Sequence, residues 1–171
     1  MSEKNSRRTF IKNTSLGVAF STIQASFGFS PLQQNNDQIG HGDFRFSLDK
    51  NWGVQNPNLY PVDHCHEMVL DSKNRIILTT TDPKNNILIY DRSGKILDSW
   101  SINYNGAHGL TIFDEGGEEF LFITDPDSHK ICKTTLEGKK ILELSFPKEI
   151  SSYTDSNLFK PTETAVAPNG D

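Results

Sequence analysis

From Gly40 onward, short apolar runs of four to six residues alternate with clusters of Asp, Asn, Ser, Gly and Pro. Nowhere does an apolar stripe of helical period persist before a turn signal interrupts it. Glu67 to Leu70, Arg75 to Thr80, Asn86 to Tyr90 and Ile96 to Trp100 are rich in β-branched and aromatic residues. The turns DSKN, DPKN and DRSG separate them. The pattern predicts four consecutive antiparallel strands and an all-β body.

The same unit then recurs. The segment starting at Val62 aligns with the segment starting at Gly106, so that His66 falls on His108, Thr81-Asp82-Pro83 on Thr124-Asp125-Pro126, and Gly94 on Gly138. Lys95-Ile96-Leu97 matches Lys140-Ile141-Leu142 with a one-residue slip. His66 and His108 lie 42 residues apart, a period typical of the four-stranded blades of a β-propeller. A third copy opens at Lys160 with KPTETAVAPNGD, where Thr162 takes the histidine position and Asn169-Gly170 the first turn. A propeller closes only with about four blades or more. The expectation is therefore an incomplete propeller over residues 41–171, with further blades beyond Asp171.

The beginning of the chain has a different character. Ser6 to Lys12 read SRRTFIK, with adjacent Arg7 and Arg8, and a weakly apolar stretch from Leu16 to Phe20 follows. This resembles a twin-arginine export signal. The apolar stretch falls far short of the roughly 20 residues that a membrane span needs, so no stable membrane anchor is expected. Residues 1–30 are accordingly assigned to export by the twin-arginine translocation machinery, giving a periplasmic or secreted bacterial protein, and residues 31–40 to a polar linker. Net charge is -5 over 171 residues, which provides no basic field for nucleic acid. Cys65 and Cys132 could pair in an oxidising compartment, although their spacing makes neither a zinc motif nor a disulfide framework.

Candidate chemistry concentrates at the starts of the first strands, because a propeller's innermost strands line its central channel. Imidazoles of His66 and His108 converging from neighbouring blades, with a third from elsewhere in the ring, would offer zinc three neutral nitrogens and leave one position for a substrate oxygen. The other reading makes them repeat-consensus residues hydrogen-bonded within their turns. Glu67 and Glu163 also recur at equivalent positions, either as paired carboxylates or as strand-start hydrogen-bonding groups. Asp63, Asp82, Asp125 and Asp127 stand in turn contexts and form no calcium-binding loop motif. Trp52 and Trp100 read as isolated, which disfavours the recurrent tryptophan docking of a quinoprotein dehydrogenase.

HGLTI at His108, TDPDSHKICK over Thr124 to Lys133 and LFKPTETAVAP over Leu158 to Pro168 together resemble consecutive blades of peptidyl-α-hydroxyglycine α-amidating lyases, members of the NHL-repeat six-bladed propellers. The resemblance covers roughly residues 55–171 and is best from Ala107 onward. It implies that His108 is a zinc ligand and that Leu110 gives its backbone carbonyl to a structural calcium. It makes His129 a turn or packing residue, and it places the remaining zinc histidines and an active-site tyrosine beyond Asp171. The family's upstream arginine has no clear counterpart; Arg45 and Arg75 are candidates by composition only. The implied activity is zinc-assisted C–N cleavage of a peptidyl-α-hydroxyglycine to a peptide amide and glyoxylate. The alternative is a non-catalytic propeller that binds a protein, peptide or glycan.

Overall fold

The computed structural model describes residues 38–149 and 154–170. The export signal with Arg7 and Arg8, and most of the linker, lie outside the described residues. The chain divides into two units, Met1–Leu48 and Asp49–Asp171. In the first, β1 (Gln38–His41) and β2 (Phe44–Ser47) form an antiparallel hairpin, so the last residues of the expected linker are a strand. Gly40 and Gly42 take left-handed backbone angles there, and a Cβ on Gly40 would collide with the Phe44 carbonyl.

The second unit contains two four-stranded antiparallel sheets, the successive blades of a partial β-propeller. Blade one is β3 (Cys65–Leu70), β4 (Ile76–Thr80), β5 (Ile87–Tyr90) and β6 (Ile96–Trp100), hydrogen-bonded in chain order. Blade two repeats this meander with β7 (Leu110–Asp114), β8 (Glu119–Asp125), β9 (Lys130–Thr135) and β10 (Lys140–Leu144). No α-helix occurs among the described residues; a single 3-10 turn at Ser156–Leu158 is capped by the Asp155 side chain, which accepts the Asn157 N–H. The opening of the third copy, residues 160–167, has no strand pairing. It then turns at Pro168–Asn169, closed by the Gly170 N–H donating to the Ala167 carbonyl.

The core lies between the two sheets. Ile77, Ile87 and Ile89 of blade one pack in one cluster with Leu110, Leu121, Ile123 and Cys132 of blade two and with Tyr104 and Ala107 of the connection. Asn86, fully buried, staples that connection. Its Nδ2 donates to the Tyr104 carbonyl at 2.7 Å, while its Oδ1 accepts the Tyr104 N–H and the Ser101 hydroxyl, both at 2.9 Å. An amide buried in this way must have its donors and acceptors met, and this one has.

The two tryptophans are equivalent rather than isolated. Trp52 Nε1 donates to the Arg92 carbonyl at 3.1 Å and Trp100 Nε1 to the Leu136 carbonyl at 2.9 Å. Each indole thus lies on the β-turn between the third and fourth strands of the blade that follows it. Each of these turns carries a glycine, Gly94 or Gly138, with positive φ, and a Cβ there would press into the ring. The cysteines are free, Cys65 exposed and Cys132 buried, so the possible bridge does not form.

Candidate functional site at the bulged starts of the inner strands

Both inner strands begin with the same irregularity. In blade one the pairing of β3 with β4 slips by one residue between Cys65 and Met68, so that His66 and Glu67 share one opposing position. In blade two the His108 N–H donates to the Thr124 carbonyl while the Gly109 carbonyl accepts the Thr124 N–H, so that His108 and Gly109 together face Thr124. Such a bulge turns a side chain out of the regular alternation of the strand. Here it brings the two imidazoles together: the rings of His66 and His108 stack with centroids 4.2 Å apart and planes 28° from parallel.

His108 is held from the third copy. Its Nδ1 lies 3.1 Å from the Thr162 carbonyl oxygen, which can only accept, so Nδ1 carries the proton and Nε2 is left as the basic nitrogen. Gly109 makes that approach possible, since a Cβ there would sit 2.4 Å from the same Thr162 oxygen and 2.8 Å from the Thr124 hydroxyl. The Gly109 N–H is satisfied by that hydroxyl at 2.8 Å. Burial pushes His66 below its ordinary pKa, and the neighbouring His108 and His64 push it further, so it is neutral at pH 7.

Glu67 reaches across to blade two, where its carboxylate accepts the Leu110 N–H. Because Leu110 opposes Ile123 next to the Thr124 hydrogen bonds, its N–H and C=O both point away from β8, and the N–H meets Glu67. The carbonyl expected to meet calcium therefore faces the inner side of the sheet, beside a carboxylate. Glu163 accepts the Thr111 hydroxyl and the Thr164 N–H, both at 2.9 Å. The two carboxyl groups perturb each other: burial, then hydrogen bonding with Glu163, push Glu67 up, while for Glu163 burial pulls upward but is outweighed by hydrogen bonding with Glu67, Thr164 and Thr111, which leaves it low. The recurring glutamates thus meet as a pair and also make strand-start hydrogen bonds.

Arg75, His129, Asp82 and Asp125 have other partners. Arg75 closes the turn between β3 and β4 and is committed to Asp71, Nε to Oδ2 at 2.6 Å. His129 takes a left-handed backbone angle, and its Nδ1 lies 2.6 Å from the Phe159 carbonyl, tying the β8–β9 turn to the segment before the third copy. Asp82 and Asp125 cap their own turns, accepting the N–H of Lys84 and of Asp127 at 2.8 Å. Among the described residues no three His, Cys, Asp or Glu side chains come together as a metal site. His108, with one nitrogen fixed by a carbonyl and the other free, has the donor chemistry of one zinc ligand, so this chain fits the metal as part of a site.

No family model matches the chain. It is similar to a probable peptidyl-alpha-hydroxyglycine alpha-amidating lyase of Caenorhabditis elegans, 33% identical over 85 residues, which is 49% of this chain and 23% of the relative. The match spans about a quarter of the length of that relative. This is distant homology, and with the all-β fold it supports a lyase-like propeller.

Proposed function

We propose that this chain contributes blades of an exported, lyase-like NHL propeller that cleaves the C–N bond of a peptidyl-α-hydroxyglycine-type substrate. Three things support the reading: the similarity to an alpha-amidating lyase, the bulged HGL segment, and above all the orientation of His108. The Thr162 carbonyl holds the proton on Nδ1 and presents Nε2 as a lone-pair donor. His108 would hold a zinc ion with histidines from other blades of the propeller. When bound, that ion would supply Lewis acidity toward the substrate hydroxyl. Leu110 would offer its carbonyl to a structural calcium. In the reaction the hydroxyl loses its proton, the bond from its carbon to the amide nitrogen breaks, and the nitrogen takes up a proton, giving a peptide amide and glyoxylate.

The test is metal analysis of the protein expressed from its complete reading frame, with His108→Ala as control, followed by an assay for glyoxylate release. About one zinc per chain, lost together with activity in the variant, is the expected result. A folded protein with no zinc overturns the reading and leaves a binding propeller.

A further inference from the structure

His108 and Leu110 are shaped by the blade before them as well as by their own. The two residues of the β3 bulge reach over the boundary between the sheets. His66 lays its ring against His108 at 4.2 Å, and Glu67 takes the Leu110 N–H, the first backbone donor of β7 that has no partner in its own sheet. Between these two contacts lies Gly109, which has no side chain with which to fix the segment itself. On the opposite flank the Thr162 carbonyl holds His108 Nδ1, while Thr111 bonds both to Glu163 and to the Thr164 carbonyl. The imidazole is therefore gripped by a ring face on one side and a carbonyl at one nitrogen, and the backbone two residues on is pinned by a carboxylate.

We propose that His66 and Glu67 are positioning residues for His108: His66 fixes the plane of its ring by stacking, and Glu67 fixes the backbone that carries it through the Leu110 N–H. The inference rests on the reading of His108 as a metal ligand, but it assigns His66 a role other than ligation. A ring stacked face to face on a ligating imidazole works through its shape. An aromatic ring without nitrogen should replace it, and a glutamine, whose carboxamide oxygen still accepts an N–H, should replace Glu67. Partners that orient a ligating histidine typically change metal affinity by roughly 10- to 100-fold when removed.

The experiment uses the protein from the complete reading frame, with zinc affinity measured by chelator competition and the site's geometry by the visible spectrum of the cobalt(II)-substituted form. His66→Ala and Glu67→Ala are expected to weaken zinc binding about tenfold or more and to alter the cobalt spectrum, while His66→Phe and Glu67→Gln remain within about threefold of the parent. Two results overturn the proposal: His66→Phe as damaging as His66→Ala, which would make the imidazole itself the required group, or parental affinity and spectrum in all four variants. A metal-free readout separates this from the function proposed above. Hydrogen exchange at the Leu110 amide should be slow in the parent and in Glu67→Gln, and at least about tenfold faster in Glu67→Ala. If the parent binds no zinc yet shows this pattern, the contact stands and the zinc reading falls; if exchange is indifferent to Glu67, the positioning role falls as well.

Discussion

The inner strands β3 and β7 start with the same bulge and the same histidine, yet their surroundings are opposites. Leu110 of β7 is 3% exposed, whereas Met68, at the matching place in β3, is 63% exposed and Leu70 is 49% exposed. β7 lies between β3 on one side and residues 162–164 on the other, and both neighbours bond to it. Among the described strands of its own unit, β3 has its sheet partner β4 and, in the next blade, β7 beside it. An innermost strand is thus buried by the blades that flank it, and the geometry of His108 belongs to three consecutive repeats at once.

The sharpest way to expose that asymmetry is a pair of truncations. In the 171-residue chain, Leu110→Ala should cost about 3 kcal/mol in urea unfolding, through lost burial and the cavity left behind, and Met68→Ala less than about 0.5 kcal/mol. Equal effects would mean that β3 is as enclosed as β7. Next in size is Asn86→Ala, expected to cost roughly 2–3 kcal/mol because the N–H and C=O of buried Tyr104 both lose their partner. An unchanged unfolding midpoint would show that the connection between the blades does not depend on the staple. Gly109→Ala should cost about 1–3 kcal/mol by forcing the third copy away from β7, since the new methyl would meet the Thr162 oxygen. In an NMR titration of that variant, His108 should lose its preference for the Nδ1–H tautomer; a preserved tautomer would separate the stability effect from the site.

The smallest effect concerns the outer edge of blade two. Hydrogen bonds from Lys140 and Lys130, outweighing some burial, and a further one from Tyr104, hold Glu143 at about 2, below the ordinary 4.5. A carboxylate held low stabilises the fold above its unfolded value, and that contribution disappears as pH falls from about 4.5 toward 2. Glu143→Gln should therefore cost under about 1 kcal/mol at pH 7, because the pair is partly solvated, and nothing once the pH is well below about 2. A variant with the same penalty at both pH values would show that packing, and not charge, sets the effect.

Much of this architecture is readable from the chain itself. The four runs expected in blade one are strands to within two residues at every boundary, because Asp and Gly turns punctuate apolar runs too short for helices. The equivalence of His66 with His108 was likewise visible as a repeat. The stacking of their rings was not, since it depends on the bulges, and a bulge is a slip in pairing that periodicity does not encode. Thr162 was legible only as the residue in a histidine's place; what it contributes is its backbone carbonyl, which every residue has. The tryptophans escaped notice for a simpler reason. Trp52 precedes His66 by 14 residues and Trp100 precedes His108 by 8, so the unequal connections hide their common role. The signal that reveals it is the pair LDKNW and LDSW, ending at Trp52 and Trp100.

That role has a consequence for how the protein is made. The indole of Trp100 finds its acceptor 36 residues later in the chain, and that of Trp52 finds its own 40 residues later. At a synthesis rate of about 5–20 residues per second, each tryptophan emerges some seconds before the turn that receives it. A blade leaving the ribosome is therefore provisional until its successor arrives to be clasped. The β9–β10 turn, made last, thus closes over the sheet of blade one through Trp100.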